Sequence, residues 1–398
     1  KDKKRIIPAW THAENLTKGD VVLYPIPKEV RPLKEINLSL SARKKYDFKS
    51  RILPQKLPLT EELMELFGYY VAEGHAAKSG LEIGFCFGGK EINYAKRVQY
   101  LIKKYFNLPS KLKEIPQHNI IYVAVYNIYL VKIFRQWFGA GAEKKHIPEF
   151  MLFLEPHIQQ GFIRGIWRGD GHFSSTRLQP KAGFVTISEE LIHQLRWLLL
   201  RQEIAPSIYR EGAHIKNMVS HRACYRIHVG DMTSLEKLAK ILKIQFMRDP
   251  QKRHAVESWF DSQYLYLPLR GVSVARLNDD QLLNLEVEES HSYTTDAFLV
   301  HNCGDVMTVW LKIDPKTERI KQCKWRSYGC ASAIASTSMM SVVLTEKGGL
   351  TIEKALKLTP QEIVKRLAGL PPLKFHCSIL GLDALKQAIN EFRSQRKN

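Results

Sequence analysis

The apolar positions of this chain change their period three times. Val21, Val22, Leu23 and Tyr24 follow the turn-rich stretch Leu16-Thr17-Lys18-Gly19-Asp20, and several prolines come after them, which predicts short β-strands within residues 1–57. From Leu59 the spacing becomes helical. Leu63, Met64, Leu66, Phe67, Tyr70 and Val71 recur at three and four, Thr60 stands where an N-cap is expected, and Glu61 and Glu62 put negative charge in the first turn. Residues 58–245 then read as mixed α/β. Short β-branched and aromatic runs with polar breaks return from Leu265 to Val300, and helical periodicity resumes at Ile352. The β material therefore brackets the α/β material.

At 398 residues the chain is longer than one domain usually needs. Apolar residues make up 44%, aromatic residues 10% and charged residues 25%, which excludes a disordered or collagen-like chain. Sixty Lys and Arg against forty Asp and Glu give a net charge of +20, a field that favours polyanions and nucleic acid first among them. Both ends share it: residues 303–398 hold 16 Lys and Arg against 8 Asp and Glu. No run approaches the roughly 18 consecutive apolar residues of a membrane span, and no signal peptide is apparent, so no membrane partner is expected. Six cysteines are too sparse for a disulfide scaffold, and four of them fall after residue 302, a clustering that suggests metal chemistry in a reducing cytoplasm. The first residue is Lys1, and the opening segment reads like the interior of a domain, so further sequence is expected upstream.

An internal repeat carries the first candidate chemistry. Leu66-Phe67-Gly68-Tyr69-Tyr70-Val71-Ala72-Glu73-Gly74 and Ile163-Arg164-Gly165-Ile166-Trp167-Arg168-Gly169-Asp170-Gly171 share glycine, four residues, acid, glycine. A glycine on a helix face lets a second helix approach its backbone, and the terminal glycine is expected to stop the helix in a left-handed cap. Two such helices packed together would set Glu73 and Asp170 side by side at their C-terminal ends. Carboxylates there oppose the helix macrodipole, and a divalent cation is the natural compensation.

This pair resembles the two signature helices of the LAGLIDADG homing endonucleases, and Lys145-His146-Ile147-Pro148 resembles the block that precedes the second helix in that family. The resemblance implies a Mg²⁺-dependent nuclease acting on double-stranded DNA. It places the metal on Glu73 and Asp170, with Lys145 as a candidate for charge stabilisation. Glu73 is a departure, since Asp is commoner there.

The flanking β material has its own resemblance. Trp10, Ala13, Leu16, Gly19-Asp20 and Val22 resemble the strand after the first histidine block of self-splicing Hint domains, or inteins. Leu285 to Tyr293, leading into Phe298-Leu299-Val300-His301-Asn302-Cys303, resembles their C-terminal splice junction. The Asn302 side-chain amide can attack its own backbone carbonyl, closing a succinimide and releasing the amine that follows, while His301 supplies a proton or hydrogen bond. Cys303 is the thiol that would accept the upstream chain, and His291 is a second acid/base group. The first nucleophile and the Thr-x-x-His block of inteins do not precede Trp10, so the resemblance implies at most C-terminal cleavage by this chain alone.

After the junction come Cys303-Gly304-Asp305, Tyr328-Gly329-Cys330 and Leu370-Pro371-Pro372-Leu373-Lys374-Phe375-His376-Cys377. Three thiols, a carboxylate and an imidazole suit an iron–sulfur cluster, and zinc would accept the same set. The segment resembles NifU/IscU-type iron–sulfur assembly scaffolds, including Gly329 to Ser336. The resemblance implies a 2Fe–2S cluster on Cys303, Cys330 and Cys377, with Asp305 aiding release and His376 beside the site. It also implies a cysteine desulfurase as sulfur donor and an Hsp70-type chaperone reading Leu370 to Lys374, where Leu373 replaces the family's Val. Cys86, Cys224 and Cys323 are read as ordinary small thiols.

The expected architecture is multidomain. A β-rich Hint fold (residues 1–57 and 246–302) is interrupted by an α/β LAGLIDADG domain (58–245) and followed by an α+β NifU/IscU-like domain (303–398). The alternative is a degenerate intein with an inactive nuclease, fused to a zinc-binding scaffold fragment.

Overall fold

The computed structural model describes residues 8–11, 13–38, 51–174, 180–216, 219–246, 258–273, 287, 292–295, 298–301, 306–328, 330–370 and 377–395. The chain divides into two compact units, residues 17–271, and residues 1–16 with 272–398.

The first unit opens with β1 (Val21–Pro25), β2 (Glu35–Asn37) and β3 (Lys56–Pro58), as the turn-rich and proline-rich sequence requires. An α/β repeat follows. Its first copy runs α1 (Glu61–Glu73), β4 (Gly74–Ala76), β5 (Glu82–Gly88), α2 (Ile92–Phe106), β6 (Lys111–Ile115), β7 (Ile120–Tyr126) and α3 (Ile128–Phe138). A short α4 (Glu149–Leu152) leads into the second copy: α5 (Pro156–Asp170), β8 (His172–Ser174), β9 (Lys181–Thr186), α6 (Glu189–Arg201) and β10 (Ser207–Glu211). It continues through the ribbon β11 (His214–Lys216) and β12 (Val219–His221) to β13 (Cys224–Val229) and α7 (Met232–Leu242). The two antiparallel sheets have the same topology, β4-β5-β7-β6 and β8-β9-β13-β10. Polar side chains start the helices: Thr60 accepts from Leu63 N–H, Asn127 from Tyr129 and Leu130, Ser188 from Leu191, and Asp231 from Ser234.

Alternation along the strands decides what each sheet buries. Ile83, Phe85 and Phe87 on β5 face Ile121, Val123 and Val125 on β7, all within the core, and Ala182, Phe184, Ile227 and Val229 do the same in the second sheet. The opposite faces carry Glu82, Cys86, Tyr122 and Tyr126, or Lys181, Val185, Arg226 and His228.

Between the sheets α1 lies against α5 at backbone contact. A Cβ on Gly68 would lie 2.3 Å from Phe162 O, and one on Gly165 would lie 2.2 Å from Glu65 O. Around this seam Glu65 is buried and meets Arg97 at 2.9 Å and Arg168 at 3.1 Å, while Arg164 reaches Glu61 and donates to Ile241 O at 2.8 Å. A buried carboxylate needs this many cationic donors to offset its lost hydration.

Beyond the repeat lie β14 (Trp259–Phe260) and β15 (Tyr264–Pro268). β15 pairs antiparallel with β1, from Val21 opposite Pro268 to Pro25 opposite Tyr264, so strands from either side of the α/β body form one sheet. Arg196 of α6 stacks over Tyr24, 4.3 Å from the ring centre, and Arg201 donates to Pro27 O and Glu29 O, tying that sheet to the body.

In the second unit β16 (Ser292–Thr294) pairs with β17 (Leu299–His301), and β18 (Val306–Ile313) forms a hairpin with β19 (Ile320–Tyr328). Helices α8 (Ala331–Thr345), α9 (Ile352–Leu356), α10 (Pro360–Arg366) and α11 (Cys377–Gln395) follow. One face of the hairpin, with Val309, Leu311 and Cys323, packs on a core of Ile320, Met340, Leu344, Leu385 and Ile389. Among the described residues no helix is long and apolar enough to cross a membrane.

One expectation needs correction. Gly74 and Gly171 do not adopt the left-handed cap, because their φ values are −89° and −84° in extended backbone that leads straight into β4 and β8. Space requires them to be glycine: a Cβ would lie 2.3 Å from the Tyr70 ring or 2.4 Å from the Trp167 ring.

Candidate active site at the paired helix ends

Glu73 is the last residue of α1 and Asp170 the last of α5, and the glycine seam draws the two ends together. A Cβ on Gly169, next to Asp170, would lie 3.0 Å from Glu73 Cγ and 3.3 Å from its Oε1. Burial pushes the Glu73 carboxyl up to about 8, and the charges of Asp170 and Glu91 push the same way. Asp170 is also raised by burial, opposed by the nearby Lys145 ammonium. The Asp170 charge adds to the burial that holds the proton on Glu73.

The Lys145 side chain closes the C-terminal end of α1. Its Nζ donates to Tyr70 O at 2.9 Å, Val71 O at 2.5 Å and Gly74 O at 2.7 Å, so all three protons are spent on the carbonyls that end α1. Its own carbonyl accepts from Ser188 Oγ at 2.6 Å, which anchors the segment to the start of α6. Burial lowers the ammonium to about 8 against the opposing pull of Asp170 and Glu73. Beside these groups lies a cavity of about 280 Å³, lined by Val71, Ala72, Lys145, Asp170, Phe184 and Thr186.

Sequence reading passed over several neighbours. Glu91, which precedes α2, accepts from Gly88 N–H at 2.7 Å and raises both Glu73 and Asp170. His75 and His172 stand two residues after the two acids, an extension of the repeat that was open to inspection. Burial holds both imidazoles below their usual range. Cys86 is a partly buried thiol on the open face of β5, raised by burial and by Glu73.

The remaining candidates are only partly placed. His291, Asn302, Cys303, Asp305 and His376 lie outside the described residues, as does most of Leu370 to Lys374. His301 ends β17, Cys377 opens α11, and Cys330 immediately precedes α8. Cys323 faces the core, where burial pushes its thiol up to about 11. Among the described residues no group of three or more His, Cys, Asp or Glu is arranged to hold a metal.

A LAGLIDADG-like domain model matches residues 157–243, and a NifU-like N terminal domain model matches residues 284–398. Two domain classes are present: a LAGLIDADG-like α/β domain and a NifU/IscU-like domain. The chain is 33% identical over 326 residues to the uncharacterized protein MJ0043 of Methanocaldococcus jannaschii, covering 79% of this chain and 39% of that one. It is 45% identical over 94 residues to iron sulfur cluster assembly protein 1, mitochondrial, of Debaryomyces hansenii, covering 24% and 50%. With the iron-sulfur cluster assembly scaffold protein IscU 1 of Archaeoglobus fulgidus it shares 44% over 90 residues, covering 23% and 56%. The chain thus spans between 39% and 56% of the length of these curated relatives. A crystal structure of I-DmoI in complex with DNA and Mn shares 14% identity at a TM-score of 0.35, covering 47% of this chain and 99% of that one.

Proposed function

We propose that residues 58–245 are a divalent-metal-dependent endonuclease of double-stranded DNA, carried within a splicing element that interrupts an iron–sulfur scaffold. The observation that carries the nuclease reading is the acid pair: a half-buried Glu73 and a solvent-accessible Asp170 on abutting helix ends, flanked by two sheets with open faces. Two carboxylates fit Mg²⁺, which binds through one or two such groups and keeps several waters, and displacement of the Glu73 proton would accompany loading. When bound, the ion supplies Lewis acidity at the phosphodiester to be hydrolysed. Glu73 and Asp170 hold it, Lys145 fixes the α1 end that carries Glu73, and the sheets hold the duplex. Glu73→Gln and Asp170→Asn together should leave duplex binding in Ca²⁺ intact and remove Mg²⁺-dependent cutting of the uninterrupted scaffold gene. A double variant that cuts like the parent would overturn the assignment.

The splicing reading is supported by the pairing of β1 with β15, which unites strands from the segments on either side of the nuclease. In this reading residues 1–57 and 246–302 are parts of a Hint domain. Asn302 Nδ2 bonds to its own carbonyl carbon, the peptide C–N bond to Cys303 breaks, and the proton from the amide passes to the departing amine with help from His301 and His291. Cys303 receives the upstream chain when a first nucleophile is supplied. Intact-mass analysis of the purified chain over days should show a fragment beginning at Cys303, absent in Asn302→Ala and retained in Cys303→Ser.

Residues 303–398 assemble a 2Fe–2S cluster as cargo on Cys303, Cys330 and Cys377, with Asp305 and His376 beside it. A cysteine desulfurase supplies sulfur and an Hsp70-type chaperone engages Leu370 to Lys374. The match to the NifU-like model supports this over a zinc-only fragment.

A further inference from the structure

Aligning the two copies of the repeat on their acids matches positions of the two sheets. His75 pairs with Gly84 across β4 and β5, and His172 with Gly183 across β8 and β9. Each imidazole lies over its glycine, where a Cβ would come within 2.5 Å or 2.4 Å of the ring, so the histidines are common to both open faces. The positions around them are not. Two residues before the glycine, Glu82 in the first sheet answers Lys181 in the second. Opposite Cys86 stands Tyr122, and opposite Val185 stands Arg226.

The first face is a hydrogen-bond acceptor. Tyr122 donates to Glu82, and its oxygen lies 3.2 Å from His75 Nε2, so the hydroxyl and the imidazole orient the carboxylate. The cations of that face, Lys111 and Lys113, belong to the outer strand β6. The second face reverses the order. Lys181 and Arg226 stand on the inner strands β9 and β13 with His228, His172 lies beside them on edge strand β8, and the carboxylate, Glu211, sits on outer β10, where it pairs with Arg226 at 2.5 Å. A carboxylate repels phosphate but accepts well from the N4 amino group of cytosine in the major groove, whereas Lys and Arg suit phosphate oxygens.

We propose that the two sheets read the target unequally: Glu82, oriented by Tyr122 and His75, specifies a cytosine in one half-site, while Lys181 and Arg226 grip backbone phosphates of the other. This rests on the nuclease reading, and its test separates the two. The full chain is offered a pool of randomised duplexes with Ca²⁺ in place of Mg²⁺, and the selected duplex is titrated against salt. Glu82→Gln, which keeps shape, should lose roughly tenfold of the preference for cytosine in one half-site at an unchanged salt slope. Tyr122→Phe should weaken the same preference. The Lys181→Ala/Arg226→Ala double variant should lower the salt slope by about two, at about 0.9 per phosphate, with base choice retained. A flattened slope with unchanged base choice in Glu82→Gln, a changed base choice with unchanged slope in the double variant, or the same response from both would overturn the inequality alone. No selected duplex from the parent chain would overturn the nuclease reading with it.

Discussion

Replacing Lys145 by Met tests what that lysine does. The ammonium gives three protons to Tyr70 O, Val71 O and Gly74 O, at 2.5–2.9 Å, and Nζ lies 5.4 Å from the Tyr70 ring centre. Methionine fills similar volume but donates nothing, so three carbonyls at the end of α1 lose their partner and two carboxylates lose their counter-charge. Hydrogen bonds to a charged group are each worth about 1.5–3 kcal/mol and are not additive, and removing one member of a buried charge set costs about 3–5 kcal/mol. The expected loss is therefore about 3–5 kcal/mol, read by urea unfolding of the full chain at pH 7 without divalent ions. Hydrogen exchange should show faster opening of the last turn of α1. Calcium should also raise the melting temperature of the variant more than that of the parent, since the site becomes more negative. A lysine that served only charge developing during cleavage would give a variant within about 0.5 kcal/mol of the parent, with slow turnover as its one defect. That result would refute the helix-end role.

Three further outcomes follow from the same geometry. Gly68→Ala puts a methyl 2.3 Å from Phe162 O and must part α1 from α5, so a loss of about 3 kcal/mol in thermal unfolding and of metal-dependent cleavage is expected; a variant that melts with the parent would contradict the contact seam. In the absence of divalent ions, stability should pass through a minimum near pH 8. The raised Glu73 carboxyl binds its proton more tightly folded than unfolded, so its contribution falls as pH rises from about 4.5 to about 8, and the lowered Lys145 ammonium does the reverse from about 8 to about 10.5. Glu73→Gln should shrink the falling limb to what the raised Asp170 carboxyl leaves, and a flat profile in the parent would refute the assignment. Cys330→Ala in the full chain should abolish the visible absorption of a reconstituted 2Fe–2S cluster while the helical circular dichroism persists; an unaltered spectrum would exclude Cys330 as a ligand.

The α/β body was legible because its information is local and duplicated. Thr60, the acidic first turn and the three-four spacing announce α1, and glycine-acid-glycine announces the same ending twice. The strand Val21 to Pro25 and the late return to β-structure were equally open to reading. What escaped was set by partners distant in sequence. Nothing near Lys145 says that its ammonium faces carbonyls 71–75 residues upstream, and the glycines after the acids are dictated by the rings of Tyr70 and Trp167, not by backbone handedness. Glu91 acts on the acids from just after β5, which the β4–β5 pairing folds back beside Glu73, and Tyr122 meets His75 and Glu82 through the pairing of β5 with β7; no short motif encodes either.

The ladder between β1 and β15 carries one more consequence. Pro25 faces Tyr264, and Ile26 N–H donates to Gln263 O at 2.9 Å, so the chain leaves the ribbon and re-enters it at adjacent rungs. To those two strands, everything from residue 27 to residue 262 occupies the position of a hairpin turn. An Asn-Gly dipeptide spans the same gap in an ordinary antiparallel hairpin. The α/β body thus sits on this ribbon as an insert, and joining Ile26 to Gln263 through a two-residue turn would leave Val21–Pro25 and Tyr264–Pro268 as one continuous antiparallel hairpin.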